Sequence, residues 1–445
     1  MIEFGTDGIR GRVGDQITVE VAYAIGRAAA EVVAAGRLCV ARDTRASGEE
    51  LARAVHVGAV DGGSDVLHLG VVPTPVLASA TVSEGIPGCM ITASHNPYHD
   101  NGLKLFNAEG LKLSPEEERA VEARINELMG AGTIDASAMA AVDVAAVEAG
   151  PIDAYAAALL DAHADLDLSS LAVGFDFAHG AGSFLGPRVF DQFKAGRVHY
   201  IGADPDGTNI NDGFGSTAPE ALMAAVVAEG LDVAFAFDGD GDRVMAIDED
   251  GGLVDGDELI AILADDMAAR GVLADRSIVV SNWSNLGLFK AMAARDIEVV
   301  QSQVGDKYIL ELLNTRQLSL GGEQSGHIIL REHSTTGDGM LVAAEVLSVL
   351  GRSGRSLGQL AADAMQRVPQ VAVAVRVTAP PKEVVAALAD ELAAQQEHLG
   401  DDGRAVLRPS GTEPVVRVMA EAPTEAEATA VVASLSEAVR AYEAG

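Results

Sequence analysis

The chain has 445 residues, 48% apolar and 22% charged, a globular composition too long for a single core. Sixty-six acidic residues against 31 basic ones leave a formal charge of −35. Nucleic acid and anionic membrane surfaces repel such a chain, no dense basic patch offsets it, and no apolar run is long enough to span a bilayer. The opening residues, MIEFGTDGIRG, lack the basic and apolar regions of a secretory signal, and Cys39 and Cys89 have neither disulfide-framework nor zinc spacing. A cytoplasmic protein that binds neither nucleic acid nor membrane is expected. Arginine far outnumbers lysine, which a high-salt host and a biased genome explain equally well. In so acidic a chain, an anionic ligand must be met by a concentrated group of arginines.

Apolar runs at 37–42, 65–70, 171–177, 231–237 and 277–282 read as buried strands, and helix-period segments at 17–35, 48–62, 115–130, 218–229 and 256–270 alternate with them. That alternation predicts α/β layers with mainly parallel sheets. A proline-bearing stretch at 149–153 (AGPID), a turn-rich one at 248–257 (DEDGGLVDGD) and 367–370 (RVPQ) are boundary candidates. Beyond the last, the order changes to strand 371–378, helix 382–398, strands 404–408 and 414–420, and helix 424–443. Three α/β domains, 1–150, 151–252 and 253–367, are therefore expected, followed by a C-terminal α+β domain, 368–445.

The sharpest pattern is Asp238-Gly239-Asp240-Gly241-Asp242-Arg243. Carboxylates at alternate positions, separated by glycines, fold into a tight loop whose oxygens converge on a hard cation. An EF-hand is one rival: Glu249 falls at the twelfth position, but Arg243 occupies the sixth, where the turn needs glycine, and the flanks read as strands. A solvated acidic turn is another. A loop at the carboxyl end of a buried strand is where α/β sheets take ligands, and with three carboxylates in view magnesium fits better than calcium.

The segment Thr92-Ala93-Ser94-His95-Asn96-Pro97 comes second. Ser94 reads as a helix N-cap or loop residue; it lies in no G-x-S-x-G elbow, and adjacent His95 is poorly placed as a triad base. Beside a metal loop, a serine has a further use: it carries a phosphoryl group whose charge the cation neutralises. No G-x-x-x-x-G-K-[ST] loop occurs, which argues against nucleotide-driven transfer. Third, Arg408-Pro409-Ser410-Gly411-Thr412-Glu413-Pro414, with Arg417 behind it, is a phosphate cradle or a plain turn between strands. In Gly322-Glu323-Gln324-Ser325-Gly326-His327, the carboxylate, amide and hydroxyl groups suit sugar hydroxyls; a polar loop is the alternative. Arg10, in FGTDGIRG at 4–11, and Lys104 are further candidates, each equally readable as surface charge. His327 is a satisfied histidine or part of the chemistry, whereas His179, His99 and Trp283 read as structural.

Together, and in this order, the four segments resemble the α-D-phosphohexomutase superfamily over essentially the whole chain, and within it the phosphoglucosamine mutase branch. The closer likeness rests on 4–11, 92–104 (TASHNPYHDNGLK), 322–329 (GEQSGHII) and 335–339 (TTGDG), with Gln324 where methionine would fit the phosphomannomutase/phosphoglucomutase branch. The resemblance implies three mixed-sheet α/β domains and a C-terminal α+β domain around a central cleft, each contributing one loop. It implies interconversion of glucosamine 6-phosphate and glucosamine 1-phosphate for UDP-N-acetylglucosamine synthesis, through a phosphoserine enzyme and a bisphosphorylated sugar, with sugar bisphosphate as activator. Carried onto this sequence, Ser94 is the phosphoserine and, with Asp238, Asp240 and Asp242, holds one magnesium ion per chain. Glu323 and Ser325 meet the sugar hydroxyls. Arg408, Ser410, Gly411, Thr412 and Arg417 grip the non-reacting phosphate. Arg10, Lys104 and Arg243 stabilise the transferring one, and His327 and Lys104 are acid/base candidates. The partner implied is a small phosphosugar, in a monomer or homodimer.

Turning the intermediate round requires a cradle on a domain able to move. Three positions depart from the pattern: His179 where asparagine is commoner, Lys307 where arginine is also found, and Trp283 where a smaller apolar residue is expected; they bear on fine substrate preference. The alternatives are a phosphomannomutase/phosphoglucomutase with the same machinery, a sugar-phosphate phosphatase and a non-catalytic sensor. A complete far-phosphate cradle argues against the phosphatase, and Ser94 with all three aspartates argues against the sensor.

Overall fold

Three sheets of one plan make up most of the computed structural model, which describes residues 4, 5, 8–34, 36–132, 134–140, 142, 144, 146–410 and 414–444. The first contains β1 (Ile9–Arg12), β2 (Arg37–Arg42), β3 (Asp65–Val71), β4 (Gly88–Ile91) and β5 (Asp100–Phe106), in the order β1-β5-β4-β2-β3. The second contains β6 (Ala172–Asp176), β7 (Arg197–Ile201), β8 (Val233–Phe237), β9 (Val244–Ile247) and β10 (Leu253–Val254), ordered β10-β9-β8-β6-β7. The third contains β11 (Ser277–Ser281), β12 (Glu298–Ser302), β13 (Leu320–Gly322) and β14 (Ile328–Leu330), ordered β12-β11-β13-β14.

In each sheet three strands run parallel, and the last of them returns directly into an antiparallel neighbour: β4 into β5, β8 into β9, β13 into β14. The sheets are thus mixed rather than mainly parallel, because an antiparallel return needs only a short loop where a parallel one needs a crossover. Those three returns are the segments that carry Ser94, the aspartates and Glu323–His327. All sit at the carboxyl ends of parallel strands, the position from which open α/β sheets address ligands.

Local sequence accounts for the elements. β8, VAFAF, is apolar and buried throughout, as a central parallel strand must be. Helix Gly256–Arg270 begins on a capping box of Asp255 and Glu258 and ends on left-handed Gly271. The stretch 149–153, expected as a break, is the first turn of helix Ala149–Ala162. Pro151 is tolerated there because the first N–H groups of a helix have no acceptor within it. The stretch 248–257 divides into the β9–β10 turn and the Asp255 cap.

The chain separates into two units: Met1–Asn282 with Glu298–Ala364, and Trp283–Ile297 with Met365–Gly445. In the second, β15 (Gln370–Arg376), β16 (Arg404–Pro409) and β17 (Val415–Glu421) form an antiparallel sheet, β15-β17-β16, packed with helices that include Glu425–Ala444. The single helix expected over 382–398 is two, Pro381–Ala387 and Ala389–Leu399, because buried Leu388 leaves helical geometry at φ −99°, ψ 21°. Helix Leu286–Ala293 belongs to this unit: its Leu286 N–H donates to Glu421 Oε1 at 2.9 Å, and Arg404 pairs with the same buried carboxylate. Among the described residues, no helix is long and apolar enough to cross a membrane.

In the first sheet's domain, helices Val19–Val32 and Gly48–Asp61 cross backbone to backbone at two glycines. A Cβ on Gly26 would lie 2.2 Å from Val55 O, and one on Gly58 would lie 2.1 Å from Tyr23 O. Gly58→Ala is therefore expected to force the helices apart and cost about 1–3 kcal/mol, read as a lower urea midpoint with an unchanged slope.

Candidate active site

The aspartates of the β8–β9 return, Asp238, Asp240 and Asp242, are all buried, and each offers an oxygen within 4.8 Å of the others. Lys104, itself buried on β5, places Nζ 2.8 Å from Asp240 Oδ2 and 3.4 Å from Asp242 Oδ2. Thr74 Oγ1 donates to Asp240 Oδ2 at 2.7 Å. These contacts divide the cluster. Although burial works against it, the Lys104 ammonium and its hydrogen bond, with Thr74 and Arg10, hold Asp240 well below the usual carboxylate range. Asp238 goes the other way, pushed well above that range by burial and by the charges of Asp242 and Asp240. Asp240 Oδ1 and Asp242 Oδ1 are buried without a hydrogen-bond partner among the described residues. An all-oxygen set with two orphaned carboxylate oxygens fits a hard divalent cation.

Ser94 follows β4 and is buried, with a left-handed backbone at φ 51°. Its Oγ donates to Asp238 Oδ2 at 2.6 Å and lies 3.1 Å from His95 Nδ1. Burial, then the charges of Arg243 and Arg10, lower the His95 pKa to about 4, so this imidazole is neutral at pH 7. Gly239 presses against the same loop: a Cβ there would lie 2.6 Å from Ser94 O. Arg243 donates its N–H to Asp238 Oδ1 at 3.2 Å, and Arg10 pairs with Gly102 between β1 and β5.

A second set of residues, which sequence reasoning did not single out, fixes this loop. Arg45 is fully buried; Nη2 donates to Ser94 O at 2.9 Å and Asn96 O at 2.8 Å, and Nη1 to Asp100 O at 3.0 Å and to Pro97 O. Its Nε pairs with buried Asp43, which also accepts from Thr92 Oγ1 at 2.7 Å. Asn211, from the second sheet's domain, donates to Ser94 O and Asn96 O. The available signal was Asp43-Thr44-Arg45 directly after the apolar strand β2; for Asn211 there was none.

In the β13–β14 return, Glu323 accepts the Gly305 N–H at 3.0 Å, and Ser325 Oγ is buried without a partner among the described residues. Gln324 Nε2 donates to Asp255 Oδ2 at 3.2 Å. His327 is buried, with Nε2 4.0 Å from Asp242 Oδ2 and 3.7 Å from Asp306 Oδ2, and it accepts the Gly337 N–H at 3.3 Å. A cavity of about 400 Å³ opens beside it, lined also by Lys112, Asp306, Lys307 and Thr336. The first unit thus brings together Ser94, the aspartates, Lys104, Arg243 and His327. In the second unit, Arg408 on β16 faces Arg417 on β17 in register, and Ser410 N–H donates to Val415 O at 3.0 Å. Gly411 and Thr412 lie outside the described residues, as do Thr6 and Asp7 of the N-terminal segment.

Asp238→Asn separates the metal from the repulsion. A carboxyl whose folded pKa is raised contributes stability at low pH that is lost as pH rises through that pKa. Without metal, the wild-type thermal midpoint is expected to fall above the ordinary carboxylate range, and more steeply than in Asp238→Asn. With Mg²⁺ at a hundredfold excess over Kd, the wild type gains about 2.7 kcal/mol and the variant loses most of that gain, both measurable by thermal unfolding with and without chelator.

Comparison with known proteins agrees with this geometry. Family models for phosphoglucomutase/phosphomannomutase match domain I at residues 1–130, domain II at 153–252, domain III at 255–368 and the C-terminal domain at 373–438. The chain is 42% identical to a phosphoglucosamine mutase of Geobacillus thermodenitrificans and 45% identical to one of Frankia alni, over 98% of both chains in each case. Among solved structures it resembles a phosphoglucomutase/phosphomannomutase family protein of Burkholderia thailandensis, at TM-score 0.81 and 24% identity over 100% of this chain and 99% of that one. An N-acetylphosphoglucosamine mutase of Aspergillus fumigatus follows at TM-score 0.72 and 18% identity, over 100% and 96%. With all four domains matched in order, the chain belongs to the phosphoglucomutase/phosphomannomutase family.

Proposed function

We propose that this chain interconverts glucosamine 6-phosphate and glucosamine 1-phosphate, through a phosphoryl group carried on Ser94 and a bisphosphorylated sugar, in cytoplasmic amino-sugar nucleotide synthesis. The observation that carries the reading is the Ser94 hydroxyl, buried and 2.6 Å from a carboxylate of the three-aspartate cluster. Relatives that share 42% and 45% of its residues bear the corresponding mutase name. In the first step, the bond between Ser94 Oγ and phosphorus breaks as a sugar hydroxyl oxygen bonds the same phosphorus, and the hydroxyl proton passes to a base. In the second, the other phosphoryl group returns to Ser94 and its sugar oxygen regains a proton. One Mg²⁺ per chain, held by Asp238, Asp240, Asp242 and a Ser94 oxygen, supplies positive charge against the transferring oxygens.

The chain's own groups do the rest. Lys104, pinned between two carboxylates, acts with Arg10 and Arg243 by stabilising charge. Acid/base work then falls to His327. Its Nε2 accepts the Gly337 N–H, and its Nδ1 is buried with no hydrogen-bond partner among the described residues. Glu323 and Ser325 read the sugar hydroxyls. Arg408, Ser410, Gly411, Thr412 and Arg417 grip the phosphate that is not reacting, and sugar bisphosphate primes Ser94.

A coupled assay with Mg²⁺ and a trace of sugar bisphosphate tests this. Glucosamine 1-phosphate is expected to turn over faster than mannose 1-phosphate or glucose 1-phosphate, and Ser94→Ala to lower the rate by about a thousandfold or more, roughly 4 kcal/mol. A tenfold preference for mannose or glucose phosphate reassigns the substrate to the phosphomannomutase/phosphoglucomutase class.

A further inference from the structure

Outside the catalytic loops, a cavity of about 220 Å³ lies among β2, β3 and helix Gly48–Asp61, lined by Arg42, Arg53, Glu49 and His68 with apolar walls that include Val40 and Val147. Two arginines converging on one cavity are notable in a chain of charge −35. Among the described residues, the only hydrogen bond of the Arg42 guanidinium runs from Nη1 to the backbone oxygen of Asp43, at 3.2 Å, and no carboxylate lies within ion-pair distance of it. Arg53 pairs through Nη2 with Glu49 at 3.1 Å, but that carboxylate is 70% exposed, and Arg53 Nε is buried with no acceptor among the described residues. Behind them, His56 Nδ1 lies 2.9 Å from His68 Nε2, so one ring donates to the other and the two are not protonated together. Burial holds His68 down near a pKa of about 4 and lowers His56 as well, leaving the pair neutral at pH 7. Arg42 and Arg53 against Glu49 leave the lining with one net positive charge.

A desolvated guanidinium with no carboxylate partner is costly, and a phosphoryl group, whose oxygens match its forked donors, offsets that cost best. The cavity's size excludes a nucleotide but admits a phosphoryl group on a short carbon skeleton, whose carbons the valine walls suit. We propose that this cavity is a second anion site, in which Arg42 and Arg53 bind the phosphoryl group of a small phosphorylated metabolite away from the reaction centre.

The test uses side-chain NMR of the histidines in the full chain, titrated with inorganic phosphate. The His56 and His68 resonances are expected to move saturably below about 10 mM phosphate, and about tenfold more weakly or worse in Arg42→Gln and Arg53→Gln. Asp238→Asn, which alters the reaction centre, is expected to leave that response intact. Immobile His56 and His68 resonances overturn the proposal, as does a response that survives both arginine substitutions or one that acetate reproduces at equal concentration. Should Arg42→Gln fail to fold, Arg53→Gln, whose side chain is 24% exposed, carries the comparison. No outcome depends on turnover, so the result is independent of the mutase reading.

Discussion

Three carboxylates held within 4.8 Å of one another and out of water are the constraint to which the rest of the catalytic region answers. Such a cluster is stable only if positive charge reaches it, and that charge arrives unevenly. Lys104 and Thr74 attend to Asp240, while Asp238 is left against its like-charged neighbours. The asymmetry gives the site a direction. Asp240 Oδ1 and Asp242 Oδ1 are buried without a hydrogen-bond partner among the described residues, and Asp238, the carboxylate least able to bear its own charge, is the one that accepts the Ser94 hydroxyl. A divalent cation on those oxygens would relieve the repulsion among the carboxylates.

Bringing the pieces together relies on a repeated topology. Each of the three sheets ends its parallel set with a strand that returns antiparallel, and each return carries one of the candidate catalytic segments. Besides the Lys104 side chain, the parts meet through close backbone approach. Gly239 lies so close to Ser94 O that any side chain would collide, Thr74 N–H donates to Asp240 O at 2.8 Å, and Asn211 reaches across to Ser94 O and Asn96 O. The glycines of Asp-Gly-Asp-Gly-Asp therefore do more than bend a metal loop; one of them allows two domains to share a surface.

Much of this was legible in the sequence, for a physical reason. A metal loop needs carboxylates at close spacing in the chain, and buried strands need apolar runs, so both leave local signatures. Helix Gly256–Arg270 matches its expected span because its cap and stop are written in adjacent residues. What escaped depends on partners distant in the chain. Asp43-Thr44-Arg45 after an apolar strand is a weak local signal, and nothing in it tells that Arg45 will bind four carbonyls about fifty residues away. The antiparallel returns could not be told from parallel strands by composition, and Pro151 looked like a breaker until its place in the first turn was known. Gln324, which the sequence places with the phosphoglucosamine mutase branch, binds Asp255, the cap of helix Gly256–Arg270, through its amide.

The buried Asp43–Arg45 pair explains how Ser94 keeps its unusual backbone. A serine at φ 51° pays about 1–2 kcal/mol relative to the right-handed region. Locally, the Ser94 N–H donates to Thr92 Oγ1 and the Asn96 N–H to Ala93 O, while the Ser94 side chain is committed to Asp238. Further compensation comes from outside the loop. One guanidinium collects the carbonyls of Ser94, Asn96, Pro97 and Asp100, and its own charge is neutralised by Asp43, which Thr92 in turn orients. Charge-assisted hydrogen bonds of this kind contribute roughly 1.5–3 kcal/mol each before losses to burial, so the clamp outweighs the strain. The hydroxyl is thereby aimed at the aspartates before any ligand arrives, and its position is set by the segment that directly follows β2 of the same sheet.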